Sequence, residues 1–67
     1  MELIAYMKES NIHCVIKPDA KAGFYLYVYQ GNRCIRDYLQ DTLDLAKTVA
    51  FRDYQVPQDA WRVNNAA

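Results

Sequence analysis

The sequence predicts a small α+β domain: a three-stranded antiparallel meander with two helices packed on one face, in the order α-β-β-β-α. The run from Phe24 to Tyr29 alternates strictly between two sets of side chains, as a β-strand with two different faces requires. Gly23 and Gly31 stand on either side of this run and indicate turns at both of its ends. A stripe of apolar residues with helical spacing follows in the second half of the chain.

The composition fits one folded domain, which we expect to span residues 1–63, with residues 64–67 as a frayed tail. Hydrophobic residues make up 52% of the 67 residues, which argues against disorder. Eight basic and eight acidic residues cancel, so the total charge does not point to a nucleic-acid partner. Neither a membrane-spanning segment nor a signal peptide is visible, and two cysteines are too few for a disulfide scaffold. We therefore expect a cytoplasmic protein.

The first predicted element is a short helix over residues 2–9, where Leu3, Ile4 and Met7 give an i, i+1, i+4 pattern. A strand is the alternative for this segment. Three strands are predicted, at Ile12–Lys17, Phe24–Gln30 and Arg33–Leu39. The glycine and asparagine between the last two strands indicate a tight two-residue turn.

The second helix is predicted over Thr42–Tyr54, with Asp41 as its N-cap and Asp44 in its first turn. Small alanines on its apolar stripe would let it lie close to the sheet. Trp61 is the one large anchor after this helix, and we expect it to close one end of the core.

In this arrangement the helices cover one face of the sheet and leave the other on display. The predicted core residues of the sheet are Ile12, Cys14, Ile16, Phe24, Leu26, Val28, Ile35 and Leu39. The predicted displayed residues are Tyr25, Tyr27, Tyr29, Tyr38, His13, Val15, Lys17, Cys34 and Arg36. Asp37 is out of place on the core face, so either it is solvated at an edge or a bulge shifts the register there.

The order of elements resembles that of the double-stranded-RNA-binding domain, and its strand-strand-strand-helix part is similar to the arm-binding domains of phage integrases. The first family carries a lysine-rich start to its last helix. Here the same stretch, residues 41–47, is acidic and reads Asp-Thr-Leu-Asp-Leu-Ala-Lys. The resemblance therefore implies a fold of this order and length, but not the RNA-binding function.

No set of residues predicts catalysis, a metal site or a cofactor. His13 and Cys14 are adjacent in a strand and point to opposite faces, so they cannot share a metal. Cys14 and Cys34 would lie two strand spacings apart, about 9.6 Å, which is too far for a disulfide. No glycine-rich phosphate loop and no Ser/His or Cys-x-x-Cys arrangement is present. We expect a protein that is not an enzyme and uses no cofactor.

Three interpretations of the tyrosine row remain open. The tyrosines could pair across strands beneath the C-terminal tail and Trp61, or form an interface with a second copy or another protein, or stack on nucleic-acid bases. We favour the interface, made by the sheet face or by an exposed edge strand, in a regulatory or inhibitory adaptor of the kind that phages and mobile elements encode. The binding residues predicted for this face are Tyr25, Tyr27, Tyr29, Tyr38, Arg36, His13 and Lys17. Nucleic-acid binding by the same face is the second hypothesis.

Overall fold

A computed structural model of the chain describes residues 1–64, which form an antiparallel sheet with one helix packed on it. The five strands are β1 (Leu3–Met7), β2 (Ile12–Asp19), β3 (Gly23–Gln30), β4 (Arg33–Gln40) and β5 (Arg62–Val63). The helix α1 spans Leu43–Tyr54, and a 3₁₀ turn at Gln58–Ala60 leads into β5. Across the sheet the strands follow the order β4-β3-β2-β1-β5. The protein is thus α+β, as predicted, but its order is β-β-β-β-α and its sheet has five strands.

The prediction of an α-β-β-β-α order is wrong at its first element, because residues 2–9 contain strand β1 and no helix. This strand pairs with β2 along its whole length, from Leu3 opposite Ile16 to Met7 opposite Ile12. Both faces of this strand carry apolar side chains, so the sequence does not alternate between apolar and polar residues as a half-buried strand does. The spacing of its apolar residues instead resembles that of an amphipathic helix. A segment this short is unstable as an isolated helix, whereas the neighbouring edge of β2 offers it a full set of hydrogen bonds. Without the first helix, the order that resembles the double-stranded-RNA-binding domain is also lost.

Helix α1 has Thr42 as its N-cap, one residue later than the Asp41 we predicted. The hydroxyl oxygen of Thr42 accepts a hydrogen bond from the backbone N–H of Leu45 at 3.1 Å. Asp44 lies in the first turn, as predicted, where the positive end of the helix dipole stabilises its negative charge.

At its C-terminus, α1 ends with Gln55 in the left-handed conformation, at a φ of 60°. The N–H of Gln55 donates to the carbonyl of Phe51 at 2.8 Å, the bond of the αL motif, and the next N–H, that of Val56, donates to the carbonyl of Ala50 at 3.3 Å. Val56 is fully buried, so this turn both satisfies the helix end and adds a side chain to the core.

The core lies between α1 and one face of the sheet, which we call the helix face. Its buried residues are Ala5, Cys14, Ile16, Leu26, Val28, Ala46, Val49, Ala50 and Val56. Ile12 and Phe24 pack against this cluster, so the core positions predicted on β2 and β3 are confirmed. Ile35 and Leu39, also predicted to be buried, are instead 40% and 49% exposed.

A β-bulge in β4 explains these two errors. The pairing with β3 passes from Arg36 opposite Val28 to Cys34 opposite Tyr29, which leaves Ile35 as the extra residue. One inserted residue reverses the facing of every position beyond it. Both explanations offered for Asp37 are confirmed, because the bulge moves it off the core face and it is exposed on the edge strand β4.

The C-terminal segment returns to the N-terminus and completes the sheet. Strand β5 pairs with β1, Arg62 opposite Ile4 and Val63 opposite Leu3. Asn64, which we assigned to the frayed tail, donates through its backbone N–H to the Glu2 carbonyl at 2.9 Å. Residues 65–67 of the predicted tail lie outside the described residues.

Trp61 packs against the buried cluster on the helix face, at the end of the core where we predicted it. Its indole Nε1 is buried and has no hydrogen-bond partner among the described residues. The side chain therefore does not cover the tyrosine row, which lies on the other side of the sheet.

Candidate functional site

The candidate site is the side of the sheet opposite α1, which we call the open face. Within residues 1–64, no helix or further strand packs on it. Alternation along the strands and the cross-strand register place twelve residues there: Ile4, Tyr6, His13, Val15, Lys17, Tyr25, Tyr27, Tyr29, Cys34, Asp37, Leu39 and Arg62. A sheet with only one face covered is common among antiparallel sheets, but the uncovered face is then usually polar. This one is aromatic and aliphatic at its centre.

The open face is organised in three cross-strand rows. The central row crosses the whole sheet and consists of Asp37, Tyr27, Val15, Ile4 and Arg62. The aromatic row beside it consists of Cys34, Tyr29, His13 and Tyr6. The third row consists of Leu39, Tyr25 and Lys17. Side chains that lie directly opposite each other in such rows are in contact distance across the strands.

The aromatic row is a continuous stack of rings over three strands. The rings of His13 and Tyr29 are parallel, with 4.9 Å between centroids and 6° between planes. Tyr6 extends the row on the other side of His13, at 5.5 Å between centroids. Because each ring is held by its neighbours, little side-chain entropy remains to be lost when a ligand covers them.

The central row has an apolar middle. Val15 is only 6% exposed although α1 lies on the other side of the sheet, because its row neighbours Ile4 and Tyr27 close over it. The ring of Tyr27 lies 6.0 Å from that of Tyr25 between centroids, and the Lys17 ammonium lies 5.7 Å from the Tyr27 centroid. The result is a compact apolar patch around Val15.

The charges of the open face are balanced. Lys17 forms an ion pair with Glu2, at 3.5 Å from Nζ to Oε1. The central row carries a carboxylate, Asp37, at its β4 end and a guanidinium, Arg62, at its β5 end. Neither of these two exposed side chains has an ion-pair partner within the described part of the chain.

Five of the seven predicted binding residues lie together on the open face: Tyr25, Tyr27, Tyr29, His13 and Lys17. The placement of Tyr38 and Arg36 beside them is wrong, because the bulge turns both toward the helix face, opposite the buried Leu26 and Val28. There the Tyr38 hydroxyl donates to Asp53 Oδ2 on α1 at 3.0 Å. Tyr38 thus ties the last long strand to the helix.

Seven residues of the open face were missing from the predicted binding residues: Val15 and Cys34, which we had placed on the displayed face, and Ile4, Tyr6, Asp37, Leu39 and Arg62, which we had not. Tyr6 is 66% exposed and ends the aromatic row. Two grooves of about 450 and 480 Å³ flank it, one toward Tyr54 and Pro57, the other toward Asn11 and His13. A reading of residues 3–7 as a strand would have found Ile4 and Tyr6, because the two alternate with Leu3, Ala5 and Met7.

The sheet edges differ from those we predicted. The strand at Ile12–Lys17, predicted as an edge, lies inside the sheet between β1 and β3. Strand β4 is an edge, as predicted, but it contains a bulge and the adjacent charged residues Arg36 and Asp37. Bulges and charges are the features by which natural edge strands resist pairing with another chain. The open face, rather than this edge, is the stronger candidate for binding.

Other chemistry has little support in the structure. Within residues 1–64, no three His, Cys, Asp or Glu side chains lie close enough to hold a metal ion. Burial raises the pKa of the Cys14 thiol to about 11, which keeps it protonated and unreactive at neutral pH. No helix in the same part of the chain is long and apolar enough to cross a membrane.

No family model, no curated protein and no solved structure matches this chain. The site has to be interpreted from its own geometry.

Proposed function

We propose that this protein is a non-catalytic interaction module that binds another protein chain through the open face of its sheet. The observation that carries the proposal is the uncovered central patch, where Tyr27 and Ile4 flank Val15 and the aromatic row runs alongside. Large apolar surfaces on small soluble domains mark binding sites more often than chance exposure does. A single small domain with one such face fits a regulatory or inhibitory adaptor.

The composition of the face favours a protein as the ligand. Tyrosines are enriched among the residues that dominate binding energy, because they supply a large rigid area with a polar tip. Here they surround an apolar centre, and charged residues lie only at the margin, with Asp37 and Arg62 at the two ends of the central row. An apolar centre with a polar rim is the general anatomy of protein interfaces.

Binding of single-stranded nucleic acid has less support. It needs cations along the path of the phosphates as well as rings for stacking. Of the two positively charged residues in the predicted site, Arg36 lies on the helix face and Lys17 is paired with Glu2. The open face offers two cations, Lys17 and Arg62, against the carboxylates of Glu2 and Asp37.

The test is a pair of substitutions of the same kind on opposite sides of the molecule. Tyr27→Arg places a charge at the centre of the open face, and Phe51→Arg places one on the outer surface of α1, where Phe51 is 55% exposed. Both variants are first checked for native circular dichroism. Binding is then measured in two ways: self-association of the pure proteins by light scattering, and proteins retained from an extract of the source cells by quantitative mass spectrometry.

We expect one bound protein, either a second copy or a different chain, to be retained by the wild type and by Phe51→Arg but lost with Tyr27→Arg. Loss with Phe51→Arg, equal binding by both variants, or no bound protein at all would contradict the proposal. A gel-shift assay with single-stranded RNA and DNA at low salt accompanies it. If the protein binds RNA or DNA tightly in that assay and the binding depends on Tyr27, the ligand of the open face is a nucleic acid and the proposed protein ligand is wrong.

A further inference from the structure

The central row of the open face is self-complementary in charge, and this points to its ligand. One end of the row is the carboxylate of Asp37 on the edge strand β4, and the other is the guanidinium of Arg62 on the opposite edge strand β5. Four strand spacings separate them, about 19 Å, so they cannot pair within one molecule. In a second molecule turned end for end, Arg62 would lie over Asp37 and Asp37 would lie over Arg62.

We infer that the open face binds a second copy of this chain, so that two sheets stack face to face about a two-fold axis parallel to the strands and passing over Val15. This inference rests on the proposed function, since it names the protein that the open face binds. Under this symmetry, β4 of one copy lies over β5 of the other. Asp37 then faces the second copy's Arg62, and the reverse pair forms on the other side of the axis.

The same symmetry matches the apolar positions. Val15 lies on the axis and meets its own copy, and Tyr27 lies over the second copy's Ile4. The other β2 residues of the open face, His13 and Lys17, also meet their own copies, and the ion pair with Glu2 offsets the charge of Lys17. In the aromatic row, Tyr29 lies over the second copy's Tyr6. Rings therefore meet rings in the aromatic row, Tyr27 meets the smaller Ile4 in the central row, and the two copies of Val15 fill the centre of the interface.

The other face-to-face arrangement is disfavoured by the charges at both ends of the central row. A two-fold axis at right angles to the strands, through the same point, would place Asp37 against its own copy and Arg62 against its own copy. Like charges at close range oppose association and thereby select against a wrong register. Strands in sheets that pack face to face are normally aligned within about 30°, a condition that both axes satisfy, so the charges of the central row decide between them.

The area of the face is sufficient for a weak to moderate dimer. A sheet of five strands, each up to eight residues long, covers about 19 by 26 Å. Two such faces together would therefore bury an area of about 1,000 Å². This value lies near the lower bound for a specific interface, for which we expect a dissociation constant on the order of 100 µM.

The test is a charge swap, measured by sedimentation equilibrium of the pure full-length chain from about 1 µM to 500 µM. Asp37→Arg opposes two arginines across the interface and Arg62→Asp opposes two aspartates, so each should weaken the dimer about tenfold or more. The double variant exchanges the two charges and should restore the wild-type dissociation constant to within about threefold. Asp44→Arg, a charge reversal on the exposed surface of α1, is the matched control and should leave the dimer unchanged.

A wild type that stays monomeric throughout this range overturns the inference. The proposed function survives in that case if a different protein still binds in a manner that depends on Tyr27, and fails if none does. A dimer that is lost with Tyr27→Arg but indifferent to the single charge reversals, or not restored by the double variant, also overturns the pairing of Asp37 with Arg62.

Discussion

Among single residues, Tyr38 shows how one hydroxyl joins the edge strand to the helix. Partial burial and the hydrogen bond to Asp53 raise the pKa of Tyr38 from 10.0 to about 12, because ionisation would remove the donated proton and set two negative charges together. On the other side of the pair, hydrogen bonds from Arg52 and Tyr38 lower the pKa of Asp53. The contact is therefore strongest when the phenol is neutral.

The pH dependence of this contact gives the first prediction. Since the folded pKa of Tyr38 lies above its unfolded value, its contribution to stability is fully present below pH 10 and is lost as the pH rises toward 12. Tyr38→Phe should lower the free energy of unfolding by about 0.5 kcal/mol at pH 7, since the bond is largely exposed. In urea unfolding, the difference from wild type should shrink between pH 10 and 12. A difference that stays constant over that range would show that the hydrogen bond is not the cause.

Among the elements, the start of β3 depends on a glycine, because its backbone conformation strains any other residue. Gly23 has a φ of 117°, and a Cβ there would collide with the backbone carbonyl oxygen of Gln40, where β4 ends. Gly31, in the turn between the same two strands, has a φ of 60°, and a Cβ there would contact only the side chain of Asn11 at 3.4 Å.

This contrast provides a prediction with its own control. Gly23→Ala should lower the free energy of unfolding by about 2 kcal/mol or more, because it adds a backbone clash to an unfavourable dihedral angle. Gly31→Ala should cost only about 1 kcal/mol, the price of the left-handed conformation alone. Urea unfolding of both variants measures the difference, and equal losses would show that the approach to Gln40 is relieved by a small shift of the chain.

The elements that the sequence predicts correctly are those with local signals. The strands at β2 and β3, the turn at Gly31 and the helix end at Tyr54 follow from alternation, turn residues and helical spacing over a few neighbouring positions. Strand β5 has no such signal, since it is two residues long and pairs with a strand at the other end of the chain. Only the folded chain brings Asn64 within hydrogen-bond distance of Glu2.

The residues of the predicted site that were placed correctly are also those fixed by local signals. Tyr25, Tyr27 and Tyr29 share a face because they alternate within one strand, and β2 adds His13 and Lys17 by simple antiparallel pairing. The bulge at Ile35 has no signal in the sequence except the misplaced Asp37, and it moves Tyr38 and Arg36 to the other face. One inserted residue is thus enough to exchange two members of a predicted binding surface.

For the whole molecule, the central feature is a sheet with a single covering layer. Within residues 1–64, α1 and the segment after it cover one face of the five strands and leave the other uncovered. A small domain of this kind buries little apolar surface, so a second copy on the open face would also add to its stability. The apolar centre around Val15 is where that gain would be largest.

The most direct test of the account is a dilution series of ¹H–¹⁵N NMR spectra of the wild-type protein, from about 1 mM down to 10 µM. We predict that the signals that shift with concentration belong to the open face, with the largest changes at Val15, Tyr27 and Tyr29, while those of Leu45 and Phe51 on α1 stay fixed. Shifts centred on α1, or spectra that do not change over the series, would contradict the claim that the open face binds a second copy of the chain.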